Sequence, residues 1–365
     1  MAGRETVVIT GSSGLIGGAA ASRLARMYDV VGFDRPGAPH PPADIECVDL
    51  DVTSDESVRA GLRRVRERHG DRIASVIHLA AHYDFKGEPS DQYETITVHG
   101  TCRLLRALRE FRVEQFVFSS TMLVHKPGQP GEKITEEAPL APKWDYPKSK
   151  VRAEEVIRRE RGGVPVVVLR LAGVYDDDCH SIPLANQIQR IYERQLTSHL
   201  YPADPARGQS FVHLHDLVEV FVRLVARRAD LPAETVLLVG EPEALGYGEV
   251  QAVLGRLIHG REWATYRVPA IVAKAGAWVQ EHLPFGPEPF IKPWMIDRAT
   301  DHYDLDIARA RTLLGWEPRA ALRRTLPLMV EALKRDPVAW YRANKLEPPK
   351  DLAPASRPVR VGYER

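Results

Sequence analysis

Three glycines constrain this chain more than any other feature. They stand in the run Val7-Val8-Ile9-Thr10-Gly11-Ser12-Ser13-Gly14-Leu15-Ile16-Gly17. An apolar, β-branched segment predicts a buried strand, and residues 19–27 predict a helix directly after the turn. Glycine gives such a turn its φ freedom, and a side chain there would block the approach of a phosphate. The helix beyond it presents unpaired N–H groups and a partial positive charge to an anion. The spacing is G-x-x-G-x-x-G rather than the G-x-G-x-x-G of the commonest dinucleotide fingerprint. Glycine-rich turns also close strands that bind nothing, so the turn alone does not decide the reading.

A second buried strand, 30–34, ends in Asp34. An acid about twenty residues after the first glycine is placed to bind the adenosine ribose hydroxyls. Its carboxylate accepts from a diol and repels a 2′-phosphate, which favours NAD over NADP. Arg35 is the competing feature, since an arginine there holds a phosphate. A third strand, 45–50, runs into Asp51-Val52, and Thr53 with Glu56 predicts a capping box. Val58, Leu62 and Val65 follow at helical spacing. A fourth strand, 73–79, ends in Ala80-Ala81, small residues that admit a cofactor to the backbone.

The 365 residues and net charge of +1 give no electrostatic case for nucleic acid or an anionic membrane. Cys47, Cys102 and Cys179 are odd in number and widely spaced. They predict spare buried thiols in a reducing compartment rather than disulfides, and no metal-ligand spacing appears. The chain enters its first strand at once, leaving no room for a signal peptide. Its longest apolar stretch, 268–279, is short and holds Lys274, so no membrane span is expected. The expected location is the cytoplasm.

Strands at 114–119 and 164–171 continue the alternation with helices, one of them marked by Val98, Cys102, Leu105 and Leu108. This predicts an α/β fold, a doubly wound parallel sheet with helices on both faces. The rhythm changes after Tyr175. Residues 1–178 with 211–240 are read as a dinucleotide-binding domain. Residues 179–210 with 241–345 are read as a smaller mixed C-terminal substrate lobe, its pocket lined by Trp263, Trp278, Phe285, Phe290 and Trp294. Residues 346–365 are read as a poorly packed tail.

Two segments carry chemistry. The fifth strand ends in Ser119-Ser120-Thr121, and Tyr146-Pro147-Lys148-Ser149-Lys150 opens a helix. Tyrosine and lysine four apart share one helix face. A phenol titrates near 10 and is a poor base at neutral pH. An ammonium beside it, and a positive nicotinamide, favour the phenolate. The pair therefore suits proton transfer to or from a hydroxyl during hydride transfer.

With these pieces in order, the chain resembles the extended short-chain dehydrogenase/reductases of the NAD-dependent epimerase/dehydratase family. The resemblance rests on residues 10–17, Asp34, Asp51-Val52, His78-Leu79-Ala80-Ala81, Ser119-Ser120-Thr121, and 146–150. It continues through Leu169 to Tyr175, Phe211-Val212-His213 with Asp216, and Leu314-Gly315-Trp316-Glu317-Pro318. It implies a Rossmann sheet and NAD lying along Gly11, Ser13, Gly14, Leu15, Ile16, Gly17, Asp34, Arg35, Asp51, Val52, Leu79, Ala80, Ala81, Ala172, Gly173 and Val174. It implies Tyr146 as general acid/base, Lys150 on the nicotinamide ribose, and Thr121 on the reacting oxygen, with Ser120 the lesser candidate. It also implies a homodimer formed by helices at about 93–110 and 147–161.

Departures from the family pattern narrow the chemistry. Sugar-nucleotide dehydratases follow the threonine with Asp-Glu, whereas Met122-Leu123 stands here. Thr97 and Gly173 each replace a habitual asparagine, and Gln209-Ser210-Phe211 replaces Arg-Asp-Phe. The expected activity is hydride transfer at a secondary alcohol or ketone of a small-molecule substrate, one less polar than a sugar nucleotide. The alternatives are an NAD-dependent sugar-nucleotide epimerase and a non-catalytic NAD-binding regulator. His82, Tyr83, Asp84, Phe85 and His125 are expected at the cleft, and Arg207 is the candidate anion contact. Cys179-His180 is weighed as a nucleophile and base but read as structural. His213 and His215 lack a third ligand, so no metal is expected.

Overall fold

In a computed structural model, residues 3–38, 41–84, 89–282, 293–349 and 352 are described. Phe85, Phe285, Phe290 and the side chain of Trp294 lie outside that description, as do residues 350, 351 and 353–365 of the tail read from 346 onward.

Seven strands form one parallel sheet: β1 Thr6–Thr10, β2 Asp29–Asp34, β3 Glu46–Asp49, β4 Ser75–His78, β5 Phe116–Thr121, β6 Val166–Leu171 and β7 Glu234–Val239. Their spatial order is β7-β6-β5-β4-β1-β2-β3. Chain direction across the sheet reverses between β1 and β4, where Thr10 pairs with His78. The carboxyl ends of these two strands flank the crevice in which open α/β sheets bind ligands.

The sheet is apolar on both faces because helices cover both. On one face, α1 (Leu15–Leu24) and α6 (Leu214–Ala226) bring Ala20, Ala21, Leu24, Leu217, Val220 and Phe221 against Val7 and Ile9. On the other, Val8 meets α2 (Asp55–His69), α3 (His99–Leu108) and α4 (Asp145–Glu160), which contribute Leu62, Leu104 and Ile157. The period-2 alternation of β1 thus separates two cores.

The glycine turn is set by contact. Gly11 has φ of 73°, and a Cβ on it would press on the Ala80 nitrogen at 3.1 Å. A Cβ on Gly17 would overlap the Gly11 carbonyl oxygen outright. Helix α1 begins at Leu15, four residues before the predicted start. Its N-cap, Gly14, makes no side-chain hydrogen bond, so the first N–H groups stay open. The capping box predicted at Thr53 is not formed. Ser54 is the N-cap of α2 and accepts from the Ser57 N–H, while Thr53 donates its hydroxyl to Asp51 at 2.7 Å.

After β6 the chain passes through a short strand, Gly173–Tyr175, that pairs in parallel with Phe211–His213. Between and after these segments, α5 (Ile182–Tyr192), α7 (Tyr247–His259) and the helix Leu322–Arg335 pack a separate core. Leu184, Ile188, Leu254, Trp263, Leu326 and Leu333 fill it. Trp263, predicted as pocket lining, is a core residue at 5 % exposure, while Trp278 is exposed. Gly173, which departs from the family's asparagine, leaves room for the Phe211 ring, 2.9 Å from where its Cβ would be.

Two buried carboxylates tie this lobe to the sheet. Asp216 accepts from the Arg319 and Ala320 N–H groups at 3.0 and 2.9 Å. Glu241 accepts from the Tyr175 hydroxyl at 2.6 Å and the Leu322 N–H at 2.8 Å. Of the cysteines only Cys179 is buried; Cys47 is exposed and Cys102 is intermediate, and all three are free. The expectation of uniformly buried thiols fails because Cys47 and Cys102 sit toward the outer sides of β3 and α3. Among the described residues no helix is long and apolar enough to cross a membrane.

Gly17→Ala should lower the unfolding free energy by roughly 1–3 kcal/mol through overpacking and abolish calorimetrically detectable NAD binding. Denaturant titration and calorimetry check the two effects separately. Retained NAD affinity would show that the Gly11–Gly17 contact does not shape the cofactor turn.

Candidate active site

The crevice between β1 and β4 begins with backbone groups. Asp34, at the end of β2, accepts from the Ser13 N–H at 2.8 Å and from the Arg35 N–H at 2.9 Å. The acid thereby braces the glycine turn and keeps lone pairs for a diol. Asp51 likewise accepts from the Thr53 N–H at 2.8 Å.

A buried relay fixes the opposite wall. The Thr10 hydroxyl accepts from the Leu79 and Ala80 N–H groups at 3.2 and 3.1 Å and lies 2.7 Å from His78 Nδ1. His78 Nε2 is 2.9 Å from Thr101 Oγ1, whose hydroxyl donates to the Thr97 carbonyl at 2.6 Å. The chain is self-consistent with the Nε2–H tautomer, which follows from the network. Burial pushes the His78 imidazole down to about 3, so it is neutral. Thr97, which replaces the family's asparagine, supplies the backbone tie itself: its Oγ1 accepts from the His82 N–H at 3.1 Å.

Strand β5 and helix α4 bring the reactive groups together. Thr121 hydrogen-bonds the Tyr146 hydroxyl. Lys150 is 3 % exposed, donates to the Ser119 carbonyl at 2.7 Å, and lies 4.8 Å from the Phe118 ring centre and 5.8 Å from that of Tyr146. Burial pushes Tyr146 up to about 12, opposed by the Thr121 hydrogen bond. Burial likewise pushes Lys150 down to about 7. The expected lowering of the phenol is not present in the protein alone, because desolvation outweighs the Thr121 hydrogen bond. The Ser120 hydroxyl is turned away from Tyr146 to Glu154: it is 2 % exposed and donates to Glu154 Oε1 at 2.5 Å.

The expected cleft residues divide. Tyr83 is half-exposed and meets the Tyr146 ring edge-on at 4.8 Å. His82 packs edge-on against Tyr93 at 4.6 Å, and its Nε2 has no partner. His125 does not reach the cleft as expected: it is fully buried behind β5, 3.0 Å from the Ala138 carbonyl through Nδ1 and 3.1 Å from Arg170 Nη1 through Nε2. Its second nitrogen serves a structural arginine, so neither faces the cleft. Arg207 donates to the Thr300 carbonyl at 2.7 Å and to Gln129, bracing two loops rather than standing free as an anion contact. His180 pairs with Asp176 at 2.6 Å, and Cys179 is buried with its thiol pushed up to about 12, which agrees with a structural reading. Among the described residues no cluster suits a metal ion.

Three features escape a reading of the sequence. Glu154 and Arg170 form a buried ion pair at 2.8 Å. The extension Tyr-x-x-x-Lys-x-x-x-Glu, one more helical turn on the same face, is the available signal. The His78 relay lies within a legible motif, but the motif does not disclose the network. Arg298 stacks over Trp144, the N-cap of α4, at 4.4 Å, and its Nε and Nη1 are buried without an acceptor. No short-range pattern predicts that contact.

Open N–H groups at α1, a turn that a Cβ would fill, an acid at the end of β2 and small residues after β4 together fit a dinucleotide. The model of the NAD dependent epimerase/dehydratase family matches residues 7–240. The chain belongs to that family. It is 27% identical over 376 residues to a Mycobacterium tuberculosis 3 beta-hydroxysteroid dehydrogenase/Delta 5→4-isomerase, with 94% of this chain and 96% of the relative covered. It is 28% identical over 247 residues to a Streptomyces lividans UDP-glucose 4-epimerase, covering 60% of this chain and 71% of that protein. In fold it matches a Thermus thermophilus UDP-glucose 4-epimerase complexed with NAD, at TM-score 0.67 and 22% identity over 90% of this chain and 99% of that one. This epimerase/dehydratase-family member is an NAD-dependent oxidoreductase of the extended short-chain type acting on a small molecule.

Because His78 is held below its ordinary 6.5, the unfolded chain binds its proton first as pH falls. The stability His78 confers is whole above pH 6.5 and is lost progressively below it. Against His78→Gln, the wild type should lose about 1.4 kcal/mol more per pH unit below pH 6, measured by denaturant titration from pH 7 to 4.5. Parallel curves would remove the neutral relay.

Proposed function

We propose that this chain is a dehydrogenase that interconverts a ring secondary alcohol and its ketone on a bulky, largely apolar substrate of the hydroxysteroid class. The observation that carries this reading is the end-to-end match to mycobacterial 3 beta-hydroxysteroid dehydrogenases, which spans the second lobe as well as the sheet. The site agrees with it. Met122-Leu123 follows Thr121, so the acid pair that would expel water is missing.

Bound NAD supplies the hydride acceptor or donor. Tyr146 Oη exchanges the proton with the substrate oxygen, and the Thr121 hydroxyl holds that same oxygen. Buried as a phenol, Tyr146 is in the form that donates to a ketone; the reverse direction requires its ionised form, which the Lys150 ammonium favours. Gly11, Ser13, Gly14, Leu15, Ile16 and Gly17 cradle the diphosphate, and Asp34 beside Arg35 takes the ribose, favouring NAD over NADP. Asp51 and Val52 meet the adenine, while Leu79, Ala80, Ala81, Ala172, Gly173 and Val174 line the path to the nicotinamide. Tyr83 and His82 contact the substrate. The functional division at 1–178 with 211–240 and 179–210 with 241–345, a cytoplasmic location and a homodimer through α3 and α4 belong to the same reading.

A second reading, sugar-nucleotide epimerase, is favoured by one observation. The buried, unaccepted Nε and Nη1 of Arg298 would suit an anionic substrate group.

Tyr146→Phe should cut turnover by roughly 10²–10⁴-fold while NAD affinity stays nearly unchanged; unimpaired turnover on the true substrate sinks the mechanism. In a thermal-shift screen with NAD present, 3β-hydroxysteroids should stabilise the protein and UDP-, GDP- or dTDP-sugars should not. The opposite pattern moves the epimerase reading to first place.

A further inference from the structure

A buried ion pair lies beside Lys150, its acid one helical turn further along α4 and its arginine on β6. Glu154 is 1 % exposed and Arg170 3 % exposed. Arg170 donates Nη2 to Glu154 Oε2 at 2.8 Å and Nε to Oε1 at 3.2 Å. Its Nη1 lies 3.0 Å from the Glu136 carbonyl and 3.1 Å from His125 Nε2. Ser120 completes the set by donating to Glu154 Oε1. A buried pair of this kind contributes little net stability, because desolvation offsets most of its attraction. Its position asks for another account.

Lys150 and Glu154 are four residues apart on α4 and share the face turned to β5. Lys150 donates to the carbonyl of Ser119, and Glu154 holds the hydroxyl of the next residue, Ser120. The two side chains therefore clamp adjacent residues of the strand end that carries Thr121. Of the groups around Lys150, His78 on β4 is neutral, and Tyr146 on α4 and Tyr93 on the π-helical turn Tyr93–Val98 ahead of α3 are phenols. Arg170 on β6 is positive, and His125 behind it is held neutral with an imidazole pushed down to about 4. Glu154 is the negative charge among them, and it acts on Lys150 against the downward push of burial.

We propose that Glu154 is a positioning residue for Lys150, its fixed carboxylate keeping the buried ammonium charged and aimed along the strand end that presents Thr121. Arg170, Ser120 and His125 hold that carboxylate. The proposal rests on the reading of Lys150 as the partner of Tyr146.

The test is the pH dependence of kcat/KM on the true substrate, from pH 5.5 to 10, with melting temperature recorded alongside. In Glu154→Gln the limb that reports loss of the Lys150 ammonium should move to lower pH by about one unit. In Glu154→Asp, which keeps the charge, that limb should stay in place even where the rate falls. Should Glu154→Gln fail to fold with Arg170 left unpaired, the double variant Glu154→Gln/Arg170→Met removes both charges and should move the limb in the same direction by a smaller amount, because loss of the more distant Arg170 charge partly offsets loss of the carboxylate. A rate lowered equally at all pH values, with the limb unmoved in the folded variant, overturns the proposal and leaves Glu154 a structural residue. Lys150→Ala serves as the separate control: unchanged activity there refutes the role of Lys150 itself, whatever Glu154 does.

Discussion

The hydroxyl of Thr10 is the hinge of this structure. It sits at the carboxyl end of β1, where the strand order changes direction, and it accepts from the Leu79 and Ala80 N–H groups, the first of which it shares with the Thr10 carbonyl. An unpaired donor there would cost roughly 1–3 kcal/mol. Because Thr10 accepts twice, its own proton must go elsewhere, and His78 takes it. His78 in turn fixes Thr101 and, through the Thr97 carbonyl, the π-helical turn Tyr93–Val98 ahead of α3. One side chain thus couples the glycine turn, the Leu79-Ala80 wall and the segment that holds His82.

The chemistry at β5 and α4 depends on the same exclusion of water. Burial raises the phenol and lowers the ammonium, moving both toward their neutral forms. The site therefore begins with a proton on Tyr146 and a Lys150 charge that neighbours can tip. The Ser120 hydroxyl is committed to Glu154, Ser119 gives its carbonyl to Lys150, and the Thr121 hydroxyl meets Tyr146 while accepting from the Leu123 N–H. Three consecutive hydroxyl residues have three different tasks because strand alternation and the helix face against them leave each a different partner.

The lobe is attached by acids rather than by apolar contact alone. Asp216 and Glu241 each accept backbone N–H groups from the distant 319–322 segment. Trp316 adds its indole N–H to the Asp216 carbonyl at 3.0 Å. Burial raises Glu241 to about 6, so ionising it as pH rises from 4.5 through 6 subtracts from folded stability. The polar clasp serves geometry more than stability, since it sets where the Leu322–Arg335 helix begins against the sheet.

The sequence by itself determined the parallel sheet, the glycine turn, the acid at the end of β2 and the Tyr146–Lys150 pair. Each is a short-range pattern: a period of two, a turn that only glycine fits, a helical spacing of four. Family membership was legible for the same reason, since its motifs are runs of adjacent residues. Tertiary structure alone decided the rest. Adjacent hydroxyls at Ser120 and Thr121 look alike until Glu154 claims one. His125 reads as a cleft residue by its place after β5, yet the chain turns it inward to serve Arg170, 45 positions away. Arg207 reads as a free cation until Thr300 and Gln129 occupy it, and Arg298 gains its significance only by stacking on Trp144 from a different part of the chain. Burial and partnership across long sequence separations fix charge and proton position, and no local pattern encodes them.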